Sequence, residues 1–328
     1  MTDLVYILAA SHSGSTLLTL LLNSHPDVAT VGELAPGHME DLAFYRCSCG
    51  QLLRECPFWA HIAQRMNQQG LPFALNNFGT RFAVPKSRLA TRLLRPLHRG
   101  PALEFVRDAA LNLLTPWPRH RREAQRANLA LIQAVLDYYH ARVFVDKGNT
   151  ALRLKYLLAA PGLNVKVIHL VRDGRAVALT YMDPARYADA QDPSLRGGGN
   201  GGDRAAERLP MAAAAREWRR CIQEAGHALA RLDPARWIRI RYEDLCSDPD
   251  ATLARLFNFL GLDPARRSPD FRTSEHHILG NGMRLDAASQ IRLDDRWNTV
   301  LLPSDLVTFE LVAGDTARRY GYAQTQSA

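Results

Sequence analysis

Short, largely apolar runs recur along this chain, and small or polar residues end each of them. Five runs are rich in β-branched and other apolar residues and have the length of buried strands: residues 4–9, 28–31, 142–146, 165–171 and 237–242. Helical patterns separate the five runs, and strands that alternate with helices generally pair in parallel. The pattern therefore predicts an α/β fold, in which a mainly parallel central sheet carries helices on both faces.

The stretch between the second and third predicted strands is long. Residues 35–140 carry helical patterns broken by proline-rich turns, which predicts a helical insertion within one domain spanning residues 1–328. A second irregular stretch, residues 196–203, is rich in glycine and predicts a flexible loop, either a mobile lid or a disordered surface segment.

A turn of small residues joins the first predicted strand to an apolar helix that begins near Leu17. Residues 10–16 have the sequence Ala-Ser-His-Ser-Gly-Ser-Thr. A strand, a tight turn and a helix together point backbone N–H groups at a bound phosphate, and the helix dipole adds to the attraction. Compared with the nucleoside triphosphate loop G-x-x-x-x-G-K-[ST], Ala9 replaces the first glycine and Ser15 replaces the lysine. The turn therefore predicts phosphate binding but disfavours hydrolysis of ATP or GTP.

A second candidate anion site follows the fourth predicted strand. Arg172 lies at the carboxyl end of that strand, where open α/β sheets place their ligand crevice. Thr180 follows eight residues later, about two helical turns along the next helix. An arginine fork and a hydroxyl suit a second, separate phosphate. Arg175 is a further candidate, with pairing to Asp173 or Asp183 as an equal alternative for it.

These motifs, in this order and spacing, resemble those of sulfotransferases that use 3′-phosphoadenosine 5′-phosphosulfate (PAPS), in particular the bacterial and carbohydrate-type branch of that family. The resemblance spans about residues 3–300 and includes further matches at residues 145–147, 240–245 and 256–262. It implies a fold like that of the P-loop-containing nucleoside triphosphate hydrolases. It also implies that PAPS is the cofactor and that adenosine 3′,5′-bisphosphate (PAP) is its product.

The resemblance assigns the residues that hold this cofactor. The 5′-phosphosulfate would bind the first loop and the start of its helix, namely Ser11, His12, Ser13, Gly14, Ser15, Thr16 and Leu17. Arg172 and Thr180 would hold the 3′-phosphate. By analogy, Arg284 at the end of the segment Gly-Asn-Gly-Met-Arg, residues 280–284, would close over the same phosphate.

Three residues are candidates for catalysis. His12 stands where the family usually has lysine or arginine, which neutralises charge on the leaving oxygen, and a histidine does so only when protonated. Lys147 directly follows the third predicted strand and either shares this role or is a solvated surface lysine. Glu33 follows the second predicted strand, where the resemblance implies a general base that takes the acceptor's proton. An ordinary surface carboxylate is the alternative for Glu33.

The resemblance thus implies an enzyme that moves the sulfuryl group of PAPS to a hydroxyl or amine of a glycan, lipid or small molecule. The transfer would be an in-line displacement, and it requires no metal. The helical insertion is the expected place for recognition of the acceptor. Two alternatives stay open: a phosphotransferase of the P-loop type, and a non-catalytic nucleotide-binding interaction protein.

Composition adds little to this picture. The net charge of +8 and the pI of about 9.5 suit a polyanionic cofactor, and the scattered basic residues do not predict nucleic-acid binding. We expect no secretory or membrane-spanning segment and a cytoplasmic location, because no apolar run approaches the ~20 residues that span a bilayer. The sequence leaves a homodimer open.

Three of the five cysteines lie close together in the chain: Cys47, Cys49 and Cys56. Zinc could bind them with His61 or His38 as a fourth ligand, but Cys-x-Cys is less typical of zinc sites than Cys-x-x-Cys. We therefore expect reduced thiols or one disulfide, with zinc as the alternative. The adjacent His276 and His277 are expected to have core or capping roles, because neighbouring side chains on a strand point to opposite faces.

Overall fold

The computed structural model of this chain describes residues 1–35, 42–84, 87–95, 100–188, 190, 192–198, 205–274, 276–286 and 290–322. Within these ranges one parallel sheet of five strands is present, in the order β2-β3-β1-β4-β5. The strands are β1 (Thr2–Ala9), β2 (Val28–Thr30), β3 (Val143–Asp146), β4 (Leu163–Val171) and β5 (Trp237–Arg241). Their bounds differ from the predicted ones by at most two residues, so the predicted strands and their parallel pairing are confirmed.

The helices of the described ranges surround this sheet. They are α1 (Ser15–Leu22), α2 (Pro57–Gln68), α3 (Arg88–Leu93), α4 (Gly100–Leu113), α5 (Pro116–Tyr139), α6 (Ala151–Leu158), α7 (Gly174–Met182), α8 (Pro184–Tyr187), α9 (Met211–Leu229), α10 (Tyr242–Ser247), α11 (Pro249–Leu260), α12 (Trp297–Val300) and α13 (Pro303–Arg319). Single turns of 3₁₀-helix occur between them, for example Leu53–Glu55 and Gly282–Leu285. The glycine-rich loop predicted at 196–203 lies outside the described residues from 199 onward.

Both faces of the sheet are buried, as predicted. Along β1, Leu4, Tyr6 and Leu8 face a core formed with α2, α5 and α6. The alternate residues Val5 and Ile7 face a second core, formed with α1, α10 and α11. Because successive side chains of a strand point to opposite faces, a strand buried on both sides must be apolar throughout. This requirement explains the continuous apolar runs of the sequence.

The long stretch at 35–140 contains α2 to α5. The last of these helices packs on the sheet itself, since Leu131 and Val135 share a core with Phe144 of β3. Recognition of an acceptor by this stretch stays a prediction. No helix within the described ranges combines the length and the apolar character needed to cross a bilayer.

The topology brings four connecting loops to one edge of the sheet. All strands run in the same direction, so the loops that follow β1, β2, β3 and β4 leave from the same edge. The chain places β2 and β3 on one side of β1 and β4 and β5 on the other. α/β proteins typically bind their ligands at the carboxyl ends of the strands, at the point where the strand order reverses in this way.

A buried histidine in β4 should make the stability of the fold depend on pH. His169 has no exposed surface, and its Nδ1 accepts a hydrogen bond from Nε of Arg239 over 3.4 Å. Burial, together with the charge of Arg239, lowers the pKa of His169 to about 3. In the unfolded chain the same group has its ordinary pKa of about 6.5. As the pH falls below that value, the unfolded state therefore gains this proton first, and the fold loses stability.

We expect His169 to remove about 1.4 kcal/mol of unfolding free energy per pH unit as the pH falls from about 6 to 4. Urea denaturation of the wild type and of His169→Gln at several pH values measures this slope. The slope should be smaller in His169→Gln, whatever its stability at neutral pH, and unchanged in His227→Gln, which alters an exposed histidine. Equal slopes for wild type and His169→Gln would contradict the prediction.

Candidate active site

The loop between β1 and α1 has the geometry of an anion site. His12 and Gly14 both have left-handed backbone conformations, with φ of 65° and 85°, on either side of Ser13. Alternating backbone conformations of this kind turn successive N–H groups towards one point. The hydroxyl oxygen of Ser13 is buried and has no hydrogen-bond partner within the described part of the chain. A buried polar atom without a partner is costly, and this hydroxyl is therefore available to bond a ligand held by the loop.

A tyrosine covers this loop at the position of its glycine. A Cβ atom built on Gly14 would lie 2.4 Å from Cδ2 of Tyr242, the first residue of α10. Only glycine therefore fits at this position, both for its φ and for the space available. Residues Ser15, Thr16 and Leu17 form the first turn of α1 and are buried. The ring of His12 packs edge-on against Tyr181 at a centroid distance of 4.6 Å.

Lys147, directly after β3, connects the loop to Glu33, which follows β2. The ammonium nitrogen of Lys147 lies 3.0 Å from Oε1 of Glu33 and donates a hydrogen bond to Oγ1 of Thr16 over 3.2 Å. Lys147 is only 5% exposed, which excludes the solvated surface lysine considered as its alternative. The Glu33 side chain is 27% exposed, so it stays within reach of a molecule in the crevice. The structure thus brings together two predicted catalytic residues and the predicted phosphate loop.

Two glycines allow the backbone to approach this pair closely. Gly32 has a φ of 79°, and a Cβ atom on it would lie 2.5 Å from the carbonyl oxygen of Leu279. Gly280 has a φ of 117°, and a Cβ atom there would lie 3.1 Å from Nζ of Lys147 and 3.4 Å from Oε1 of Glu33. Segment 279–280 therefore forms one wall of the site. This role of Gly280 was not predicted from the sequence.

A buried polar network fixes the ends of β2 and β3. Oδ1 of Asp146 accepts a hydrogen bond from the backbone N–H of Leu34 over 3.1 Å, and Oδ2 accepts one from Nε of Arg153 over 3.1 Å. Arg153 donates further hydrogen bonds to Thr80 and Asn128. Burial raises the pKa of Asp146, and the charge of Arg153 opposes that rise. Because every member is bonded, the network holds the backbone beside Glu33 and Lys147 in one arrangement.

Arg172 lies against the same loop from the side of β4. Its Nη1 donates to the carbonyl oxygen of His12 over 2.8 Å, its Nη2 is 2.9 Å from Oδ2 of Asp294, and its guanidinium lies 4.5 Å from the ring centroid of Tyr242. Its Nε is buried and has no hydrogen-bond partner in the described ranges. Although burial opposes it, hydrogen bonds from Arg296 and Arg172 lower the pKa of Asp294 to about 2.

The remaining predicted anion ligands are placed differently. Thr180 is buried in α7, and its hydroxyl donates to the carbonyl oxygen of Ala176 over 2.9 Å. Arg175 pairs with Asp173 at 2.6 Å, which is one of the two alternatives stated for it. Arg284 is buried behind the wall at 279–280, where its Nη1 donates to the carbonyl oxygen of Gly280 over 2.6 Å. The predicted roles of Thr180 and Arg284 at a 3′-phosphate stay predictions.

The three clustered cysteines lie beside His277, for which a core or capping role was expected. Their thiols and the imidazole of His277 lie together, with the four ligand atoms within 4.8 Å of one another. His61, a predicted fourth ligand, instead packs against Tyr138 at a centroid distance of 5.3 Å. His38, the other, lies outside the described residues. The adjacent pair His276 and His277 was the signal available in the sequence, because neighbouring side chains point to opposite sides and one of the two could reach the cysteines. In the structure His276 points away and bonds Asn23.

Comparisons with known proteins agree on one family. A family model described as "Sulfotransferase family" matches residues 86–266, which is just over half of the chain. Carbohydrate sulfotransferase 2 of Homo sapiens is 25% identical over 381 residues, and the match covers 99% of this chain and 66% of that protein. Carbohydrate sulfotransferase 5 of Homo sapiens is 25% identical over 343 residues, covering 99% of this chain and 78% of that protein. The chain therefore spans just under two thirds of the length of the first of these relatives.

A solved structure shares the fold. The sulfotransferase domain from the curacin biosynthetic pathway superimposes with a TM-score of 0.54 and 20% sequence identity, over 99% of each chain. At that identity the likeness concerns the fold alone. It agrees with the parallel sheet described above and confirms the predicted P-loop-like fold.

Proposed function

Because this chain belongs to the sulfotransferase family, we propose that it transfers the sulfuryl group of PAPS to a hydroxyl of a carbohydrate-type acceptor. The observation that carries the proposal is the chain of contacts from Glu33 through Lys147 to Thr16. These contacts connect three groups: a carboxylate that can accept a proton, a cation, and the proposed phosphate loop. The names of the curated relatives support a carbohydrate as the acceptor.

The residues present suit a nucleotide with phosphate groups at both ends. The unpartnered hydroxyl of Ser13 and the backbone of the loop around Gly14 would hold the 5′ end. Arg172 would hold the 3′-phosphate through Nε, which has no partner in the described ranges, and through the N–H groups that it does not donate to His12 and Asp294. When bound, PAPS supplies the sulfuryl group that is transferred.

Lys147 supplies the positive charge that the loop itself lacks. The loop has Ser15 where a nucleoside triphosphate loop has lysine, and the ammonium of Lys147 reaches the neighbouring Thr16 hydroxyl from β3 instead. A buried ammonium at a fixed position stabilises negative charge that develops beside it, without reorganisation of solvent. His12, whose ring rests against Tyr181, is the second candidate for this role.

Glu33 accepts the proton of the acceptor hydroxyl. It lies at the crevice edge with part of its surface exposed, and its hydrogen-bonded partner Lys147 holds one carboxylate oxygen in place. A positioned carboxylate of this kind typically contributes about 10²- to 10⁴-fold to a rate. Lys147 would thus serve both ends of the reaction: it orients the base and it balances the charge on the phosphate side.

The experiment that tests the proposed function is a pair of measurements on the full chain. By calorimetry, PAP is expected to bind and ATP is not, because the loop lacks the lysine that grips a β/γ-phosphate pair. With PAPS labelled in its sulfur, label should pass to members of a panel of oligosaccharides. Binding of ATP with transfer of its γ-phosphate would favour the phosphotransferase instead.

The binding measurement is repeated on the variant Arg172→Ala, with Arg266→Ala as its control. We expect PAP to bind about 30-fold more weakly to Arg172→Ala, because a charge-assisted hydrogen bond worth about 2 kcal/mol is lost. Arg266→Ala removes the same charge from an exposed arginine that pairs with Asp27, at the opposite edge of the sheet, and should leave the affinity unchanged. Unchanged affinity in Arg172→Ala, or tight binding of PAP with no transfer to any acceptor, would contradict the proposal.

A further inference from the structure

Three thiols and one imidazole nitrogen form a compact group outside the proposed active site. Nδ1 of His277 lies 3.3 Å from Sγ of Cys47 and 3.3 Å from Sγ of Cys56. Sγ of Cys49 lies 3.8 Å from Sγ of Cys56. Cys47, Cys56 and His277 are buried, whereas Cys49 is exposed. A small ion could therefore reach the group from solvent on the side of Cys49.

From this geometry we infer that Cys47, Cys49, Cys56 and His277 bind a structural zinc ion. In a tetrahedral site, Zn–S bonds of about 2.3 Å and a Zn–N bond of about 2.0 Å place two sulfurs about 3.8 Å apart and sulfur and nitrogen about 3.5 Å apart. The two Nδ1–Sγ distances of 3.3 Å and the Sγ–Sγ distance of 3.8 Å lie close to these edges, and all four ligand atoms lie within 4.8 Å of one another. Three cysteines and one histidine, with no open position, are a ligand set of structural zinc sites.

The backbone around the thiols has the form that presents ligands to a metal. Residues 46 and 52 pair across a tight turn, in which the N–H of Gly50 donates to the carbonyl of Cys47 over 2.9 Å and Gly50 has a φ of 87°. This turn directs Cys47 and Cys49 to the same side. Cys56 immediately precedes α2, so its thiol lies at the positive end of the helix dipole. The ring of His277 is held by stacking on Phe58 at 4.4 Å.

A disulfide accounts for less of this arrangement. A bond between Cys49 and Cys56 would require their sulfurs, now 3.8 Å apart, to approach to about 2.05 Å. It would not explain why the thiol of Cys47 and the imidazole of His277 lie in the same group. A single ion at the centre of the group explains why one nitrogen lies at the same distance from two sulfurs.

The zinc would fasten the loop at 45–56 to the segment at 276–284. Other contacts already join them: Ser48 Oγ donates to the carbonyl of His276 over 2.7 Å, and the N–H of Gly280 donates to the hydroxyl of Tyr45 over 2.9 Å. Gly280 in turn forms the wall against Lys147 and Glu33. The ion would therefore stabilise that wall without touching a substrate. This inference does not depend on the proposed function.

The first test is the metal content of the purified wild-type chain, measured by inductively coupled plasma mass spectrometry. We expect about one zinc ion per chain. Cys47→Ser and His277→Ala should each lower this content at least tenfold, whereas Cys221→Ser and Cys246→Ser, which alter the two cysteines outside the group, should not. Wild-type protein without zinc, or with a Cys49–Cys56 disulfide in its peptide map, would overturn the inference.

The main readout of the second test uses the wild type, so it does not depend on the folding of a variant. Wild-type protein exchanged with Co²⁺ should show the absorption bands of thiolate-to-cobalt charge transfer and the visible bands of a tetrahedral site. His277→Cys, which keeps four ligands, should retain bound metal and shift these bands. A cobalt spectrum without thiolate bands, or one typical of octahedral coordination, would show that the thiols are not ligands and would refute the proposed site.

Discussion

Replacing Lys147 by methionine is expected to lower kcat for sulfuryl transfer by about 10²- to 10³-fold, the size of effect seen when one fixed donor to developing charge is removed. Methionine keeps the length of the side chain and removes its charge. The ammonium is buried between the phosphate loop and Glu33, so its electrostatic effect is poorly screened by water. The affinity for PAP should fall less, by about tenfold, since one charge contact of several is lost.

Two variants make this prediction decisive. Lys155→Met removes the charge of a lysine in α6 that pairs with Asp108 at the surface, and it should leave kcat unchanged. His12→Ala removes the other candidate cation of the loop. If Lys147→Met keeps the wild-type kcat while His12→Ala loses the activity, the charge comes from the histidine, and the role given to Lys147 is wrong.

The sheet could be predicted because its burial constrains the sequence strongly. Strands β1 and β4 lie between two cores, so nearly every position must be apolar, and the runs are visible without knowledge of the fold. Strand β5 is less uniformly apolar, since Arg239 and Arg241 alternate with Ile238 and Ile240 at the edge of the sheet. Its edge position explains the polar residues, because only one neighbouring strand protects it.

The site was predictable to the extent that it follows from strand ends. The loop after β1, Glu33 after β2 and Lys147 after β3 each follow a predicted strand, and parallel strands bring these positions to one edge. What the sequence could not give is which side chains touch. Whether Lys147 points to solvent or bonds Thr16 depends on side-chain packing between residues 131 positions apart.

The contacts made by the segment at 276–284 could not be predicted either, because they also join residues that are far apart in the sequence. His277 reaches Cys47 across 230 positions, and no local pattern encodes that approach. Gly280 illustrates the second difficulty: a glycine in a loop indicates a turn, and its close approach to Lys147 is visible only in three dimensions. The segment follows the last strand in the sequence, and it passes beside Lys147 and Glu33.

Glu33→Gln should have an effect of similar size to that of Lys147→Met, and the two variants should not be additive. Glutamine keeps a hydrogen-bonding oxygen beside Lys147 but cannot accept the acceptor's proton, so we expect kcat/KM to fall by about 10²- to 10⁴-fold. The affinity for PAP should be equal or higher, because a negative charge 3.0 Å from the Lys147 ammonium is removed from the crevice. Calorimetry with PAP and initial rates with a carbohydrate acceptor separate these two effects.

The matched control is Glu123→Gln, which neutralises an exposed carboxylate that pairs with Arg119 on α5, and it should behave as the wild type. The double variant with Lys147→Met tests whether base and cation act as one unit. Residues that act together give a double variant little worse than the poorer single one, because the second substitution removes a group that no longer functions. If Glu33→Gln transfers sulfate as fast as wild type, or if the two losses multiply, the carboxylate does not act through this lysine and the base must lie elsewhere in the crevice.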